Sequence, residues 1–260
     1  MMKTLLVRGM LAGLIAGVLA FGFAYAFGEP SVNAAIGLEE SGGGHSHAHD
    51  ASAPASSASA PAPAAAPAEE EELVPRDIQS TLGLLTGVLV YGVAIGGLLS
   101  LAFAFAQGRL GSLRPRVTAL LLTAGAFTVV FLVPFLKYPA NPPAVGQPGT
   151  IGSRTELYFG FVAVSLLVGI FATVFGRKLA DRLGAWNGFL LAAAGYLVVI
   201  GVVAWLMPVV DEVPATFPAS TLWSFRTASV GTQATLWLAL GLTFGAFAEK
   251  ALTRRTAVAA

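Results

Sequence analysis

Six stretches of the chain are predominantly apolar and contain no Asp, Glu, Lys, Arg or His: roughly 9–27, 82–106, 117–136, 157–175, 186–207 and 230–248. A bilayer core of about 30 Å needs about 20 apolar residues at 1.5 Å rise each, so each stretch suffices to cross one. Charges start at their edges, at Arg8, Arg116, Glu156 and Glu249. Backbone groups in hydrocarbon must bond one another, which makes the stretches helices. Apolar and polar residues do not alternate along them, which argues against an outer-membrane barrel. The pattern predicts an all-α, polytopic integral membrane bundle of about six transmembrane helices. It divides into a first transmembrane helix over 1–28, an extracytoplasmic loop over 29–78, a five-helix bundle over 79–250 and a cytoplasmic tail over 251–260.

The first span has a second reading. A basic start, an apolar middle and Ala24-Tyr25-Ala26 also fit a cleaved signal peptide. The apolar run is long for one, and Gly9, Gly13 and Gly17 recur at the four-residue spacing of packed membrane helices. These features favour a retained helix.

Loop charges orient the bundle. Eleven of the 15 Lys and Arg residues fall on the face that carries both termini, and 12 of the 14 acidic residues on the other. The positive-inside rule puts both termini in the cytoplasm of a bacterial inner-membrane protein. The long outer segment has Ala, Ser and Pro alone over 51–68, too little apolar content to fold, and reads as a disordered tether. Glu69 to Glu72 follow, and Asp77 is the expected cap of the next helix. The loops near 137–156 and 208–229 are rich in Pro and Gly and read as structured turns.

Composition removes most other classes. Of 260 residues, 55% are apolar and 11% charged, where a soluble domain carries about a quarter charged. A net charge of +1 offers no nucleic-acid surface, and the absence of cysteine excludes disulfides, thiolate metal sites and cysteine nucleophiles. No P-loop is present to energise transport. No histidine lies within a span to hold a haem, and no buried carboxylate relay serves proton coupling. With no Ser–His–Asp set or zinc-protease motif, the chain does not read as an enzyme, and it needs no cofactor.

The chemistry is concentrated outside the spans. All three histidines lie in Gly44-His45-Ser46-His47-Ala48-His49-Asp50. Neutral imidazoles bind cobalt, nickel, zinc and copper, so His45, His47, His49 and Asp50 are the candidate metal-capture ligands. A solubilising polar tract is the alternative. Met1, Met2, Met10 and Met207 form no cluster for copper(I). A second group lies at the outer rim: Glu29, Asn33, Gln79, Ser80, Lys137, Tyr138, Asn141, Arg154, Asp211, Glu212, Arg226 and Gln233. Glu29, Asn141, Asp211 and Glu212 are the candidate pathway ligands, because adjacent carboxylates repel unless a cation lies between them. Pairs such as Arg154–Glu156 and Arg226–Asp211 are the structural alternative. Hydroxyls within the spans, including Tyr91, Ser165 and Tyr196, are expected to bond backbone or neighbouring helices. Trp186, Trp205 and Trp223 read as interface anchors, Trp237 as core, and Gly83, Gly87, Gly92 and Gly96 as close helix contacts.

Longer motifs run along the chain: Phe27-Gly28-Glu29-Pro30, Gln79-Ser80-Thr81-Leu82-Gly83, Pro134-Phe135-Leu136-Lys137-Tyr138-Pro139, Asn141-Pro142-Pro143, Gly184-Ala185-Trp186-Asn187, Asp211-Glu212-Val213-Pro214 and Leu222-Trp223-Ser224-Phe225-Arg226. Together with the acidic, His-rich loop they make the chain resemble the CbtA family over nearly its whole length. The resemblance implies a cobalt transporter subunit linked to cobalamin synthesis, with a small membrane partner resembling CbtB. It also implies about five spans, and the status of the first span accounts for the sixth. The expectation is therefore a divalent-metal uptake subunit, with cobalt as substrate and nickel or zinc as alternatives. Its environment is the lipid bilayer, and it is a possible homo-oligomer. A non-transporting metal sensor or chaperone, or an assembly subunit, are the rival classes.

Overall fold

A computed structural model of the chain describes residues 2–43, 74–109 and 113–259. Six helical rods are long and apolar enough to cross a membrane, and no strand occurs among the described residues. The chain is a multi-pass membrane protein. The first rod joins α1 (Met2–Phe23) through a π turn (Ala24–Gly28) to α2 (Glu29–Gly43). The second runs from α3 (Arg76–Ile78) through a π turn (Gln79–Gly83) into α4 (Leu84–Ala106). The third joins α5 (Pro115–Ala126), a π turn (Phe127–Leu132) and α6 (Val133–Lys137). The others are α7 (Ile151–Leu183), α8 (Ala185–Leu206) and α9 (Ala219–Ala259).

Two of the wide turns have a visible cause. Proline lacks an N–H, and in a helix its ring collides with the carbonyl four residues back. For Pro30 that carbonyl belongs to Ala26, and for Pro134 to Val130, each inside a π turn. The extra residue in the turn opens room for the ring and lets the helix continue. The rod passes residue 28 without a break. The helix does not give way to a loop there but continues to Gly43. At the other end α9 continues to Ala259, so the expected tail is helical up to that residue.

The rods form two layers that share the third. In one, α1 packs against α4 and α9, and α5 against α9. In the other, α7 and α8 form an antiparallel hairpin turned at Gly184, whose φ is 83°. The π turn of the third rod and α6 join α7 to the first layer. The α1–α4 seam is built from backbone. A Cβ on Gly13 would lie 2.1 Å from the Gly92 carbonyl oxygen, and one on Gly9 would lie 2.4 Å from that of Gly96. The reverse also holds: Gly92 faces Gly13, and Gly96 faces Gly9. Only residues without a side chain permit this approach, which membrane helices use because lipid leaves no hydrophobic drive between them. Gly87 meets nothing within 4 Å, so it is not part of the seam.

Larger side chains close the remaining space. Phe103 and Phe244 meet edge to face at 5.2 Å, beside buried Leu99, Leu236, Trp237 and Leu240. Phe161, Tyr196 and Ile200 form the core of the other layer. Its buried Ser165 donates to the Val129 carbonyl (2.6 Å) in the π turn and lies 2.8 Å from the Tyr196 hydroxyl. Trp186, Trp205 and Trp223 stand exposed near helix ends, as interface anchors do, while Trp237 is buried.

Candidate functional site

One end of the bundle gathers the start of α2, α3 and the loops 138–150 and 207–218. Each is held by a cation. Lys137 donates from Nζ to the Met207 carbonyl (3.1 Å) at the C-terminus of α8, where unpaired carbonyls and the helix dipole favour positive charge. The Tyr138 hydroxyl donates to the Pro208 carbonyl at 2.8 Å. Arg226 of α9 donates from Nη2 to Asn141 Oδ1 (2.8 Å) and from Nε to the Ala140 carbonyl (3.3 Å). Arg76 of α3 pairs with Glu29 and donates to Asn33 Oδ1 at 3.0 and 3.1 Å. That last clamp joins the two ends of the long segment between α1 and α4.

The fourth is Arg154, whose Nε lies 3.4 Å from Glu212 Oε2. Its guanidinium fills the space beside Gly146, where a Cβ would come within 2.3 Å of Nη1. Gly146 has φ of 122°, so glycine serves twice there, for the backbone and for the arginine. The Gln147 N–H also donates to Glu212 Oε2 (3.0 Å). The Thr150 hydroxyl, the Gln147 N–H and the Arg154 charge hold the Glu212 carboxyl below its ordinary value of 4.5. A lowered carboxyl stabilises the fold above its unfolded value and loses that contribution as pH falls through the folded one. The clamp is therefore expected to be intact at neutral pH and to release only in acid below 4.5. Thermal unfolding of purified protein across that range checks this: Glu212→Gln should flatten the acid-side fall in Tm.

The predicted rim residues thus have definite places. Glu29, Asn141 and Glu212 each face an arginine, and Asp211 is exposed with no ion pair among the described residues. The expected pairs Arg154–Glu156 and Arg226–Asp211 do not form. Residues two apart on a helix point to different sides, so Arg154 and Glu156 diverge. Arg226 is spent on the 140–141 turn instead. Asp77 is not a cap either, since Pro75 holds that position and Asp77 lies in the first turn of α3. His45, His47, His49 and Asp50 lie outside the described residues. Among the described residues no three His, Cys, Asp or Glu side chains gather to hold a metal ion.

The clamps frame two open crevices. One, of about 930 Å³, is lined by Phe135, Tyr138, Asn141, Arg154, Tyr158, Asp211 and Arg226. The other, of about 800 Å³, lies between the tip of α2 (Leu38, Glu39, Ser41), Gly146, Phe217 and the same Arg154. Arg154 is the wall between them. Its role was not legible from its neighbours in sequence, because its partner lies 58 positions away, across the α7–α8 hairpin.

The arrangement is that of a polar vestibule on an apolar bundle. Compared with curated proteins and with solved structures, the chain has no match. The pattern of the family described as "Probable cobalt transporter subunit (CbtA)" matches residues 2–249, nearly the whole length, and the chain therefore belongs to the CbtA family of probable cobalt transporter subunits.

Proposed function

We propose that this chain captures Co2+ outside the bacterial inner membrane and passes it through the vestibule into the bundle, together with a small membrane subunit of the CbtB type. The observation that carries the proposal is the course of α2. It extends the first rod to Gly43, two residues before the His45–Asp50 tract, and its tip lines a crevice whose wall is Arg154. Metal held by His45, His47, His49 and Asp50 is thereby close in sequence to the vestibule. Asp211, which carries no arginine, is the first rim ligand. Glu212, Glu29 and Asn141 follow as their arginines yield to the ion. α1 stays in the mature chain as a structural helix, and both termini face the cytoplasm.

No ATPase is needed in this scheme. A membrane potential is worth about 2.3 kcal/mol per charge per 100 mV, so about 4.6 kcal/mol for a divalent ion. Nickel and zinc share the borderline character that suits imidazole, and competition among the three ions sets the order of preference.

The test is cellular cobalt, with nickel and zinc alongside, at limiting external metal in cells lacking other cobalt importers and expressing the chain with its partner. Cobalt should accumulate, and His45, His47 and His49 changed together to Ala should lower accumulation at limiting metal and be overcome by excess. Unchanged accumulation in that variant removes the histidines from the pathway. No accumulation by the intact pair overturns transport and leaves a metal sensor or chaperone.

A further inference from the structure

The larger crevice runs from the rim of the bundle into the membrane zone. At the rim it is lined by Arg154, three positions before the apolar run 157–175, and by Arg226, four positions before the run 230–248. Both guanidiniums thus stand at the level where lipid head groups meet a helix bundle. Deeper, the lining includes Phe135, within the apolar run 117–136, and Phe159, five residues and about 7–8 Å beyond Arg154 along α7. Phe159 is 63% exposed, so the deeper part is open at the surface that lipid covers.

The charged groups of this lining are not saturated. Arg226 spends Nε on the Ala140 carbonyl and Nη2 on Asn141, which leaves Nη1 without a partner among the described residues. Arg154 lies 3.4 Å from Glu212 through Nε, and that buried atom makes no hydrogen bond. Asp211 lines the same crevice and has no ion pair among the described residues. Charge is therefore balanced, two guanidiniums against Asp211 and, through Arg154, Glu212. Unsatisfied groups of both signs above an apolar floor suit a ligand that carries both signs on an apolar body.

We infer that this crevice binds a zwitterionic phospholipid with a primary ammonium, of the phosphatidylethanolamine class. The phosphodiester oxygens accept hydrogen bonds from Arg226 and Arg154, whose planar donors match phosphate. The ammonium donates to Asp211, and an acyl chain lies along Phe135 and Phe159. Basic pockets between membrane helices hold lipid head groups, and here the unpaired carboxylate selects among them. The inference does not depend on the transport assignment. The ammonium sits on a flexible arm and yields Asp211 to an arriving divalent ion, while the phosphate stays.

The test uses the full chain, purified in detergent and freed of lipid. It is incubated with equal amounts of phosphatidylethanolamine, phosphatidylglycerol and phosphatidylcholine carrying the same acyl chains. Lipid retained through gel filtration is counted by mass spectrometry. Phosphatidylglycerol has no ammonium, and phosphatidylcholine has no N–H to donate. About one phosphatidylethanolamine per chain should remain, at least about tenfold over either rival, the worth of one hydrogen bond to a charged partner. Asp211→Asn should abolish that preference and keep Tm, since Asp211 has no ion pair to lose among the described residues. Inorganic phosphate and glycerophosphoethanolamine, the same head group without chains, should not displace the lipid at equal concentration.

Equal retention of the three lipids would overturn the site and leave an ordinary lipid annulus. Preference for phosphatidylglycerol, or an Asp211→Asn chain that keeps the original preference, would overturn the ammonium's place and the proposal with it. Displacement by either soluble competitor would make the crevice a site for a free oxyanion and overturn the lipid. Should Asp211→Asn fail to fold, the three lipids on the unaltered chain decide alone.

Discussion

Replacing Gly13 by leucine is expected to separate α1 from α4 and yield little folded protein. A single Cβ at Gly13 would already lie 2.1 Å from the Gly92 carbonyl oxygen, and the obstacle is backbone, which cannot rotate away. Gly13→Ala must push the two helices apart over the neighbouring Gly9–Gly96 contact as well. Overpacking of this kind costs about 1–3 kcal/mol, and we expect the upper half of that range. The measurement is Tm of purified protein in detergent. Gly22→Ala, where nothing lies within 4 Å, is the control and should be neutral or raise Tm, since Ala favours helix over Gly by about 0.5–1 kcal/mol. The same pair of variants bears on signal cleavage. A chain cut after Ala26 would contain no Gly13, so its Tm would be indifferent to the substitution. N-terminal sequencing of the purified chain should find the α1 sequence.

Arg226→Met is expected to cost about 2 kcal/mol and most of the cobalt accumulation. Hydrogen bonds from a charged donor are worth about 1.5–3 kcal/mol, and Arg226 makes one of 2.8 Å to Asn141 and a longer one to the Ala140 carbonyl. The larger consequence is positional. The guanidinium is what ties α9 to the 139–143 turn, one wall of the larger crevice. Arg226→Lys should recover charge without recovering function, because an ammonium cannot present the planar fork that spans a side-chain amide and a carbonyl at once. Tm and metal accumulation measured on the same variants separate the two effects. Equal losses in Met and Lys variants would support the fork, and full rescue by Lys would reduce Arg226 to its charge.

Much of the architecture was legible because the bilayer imposes a one-dimensional rule. A run of about 20 residues without charge has few options besides a helix, so the six rods follow from hydropathy alone. The spacing of Gly9, Gly13 and Gly17 also pointed to close packing, and the α1–α4 seam uses all three. Glu29 is where hydropathy and helix part company. A charged residue ends a hydropathy run, yet a helix outside the membrane needs no apolar content, and α2 continues for fifteen residues. The π turns ahead of Pro30 and Pro134 were likewise invisible to a hydropathy pattern, which registers composition and not the width of a turn.

The rim was legible as a group and not as contacts. Arg154, Arg226, Asn141 and Glu212 were recognisable as polar residues at one end of the bundle, but the alternative pairs open to the sequence were Glu156 for Arg154 and Asp211 for Arg226. The partners that formed instead lie 58 and 85 positions away. By itself the sequence determined the helical class, the number of rods and the concentration of histidines in one tract, because each depends on local composition against a fixed bilayer thickness. Only the tertiary structure decided which arginine holds which loop, which glycines form the seam and that Ser165 meets Tyr196, because those depend on the rotation and depth of whole helices, set by packing among residues far apart in the chain.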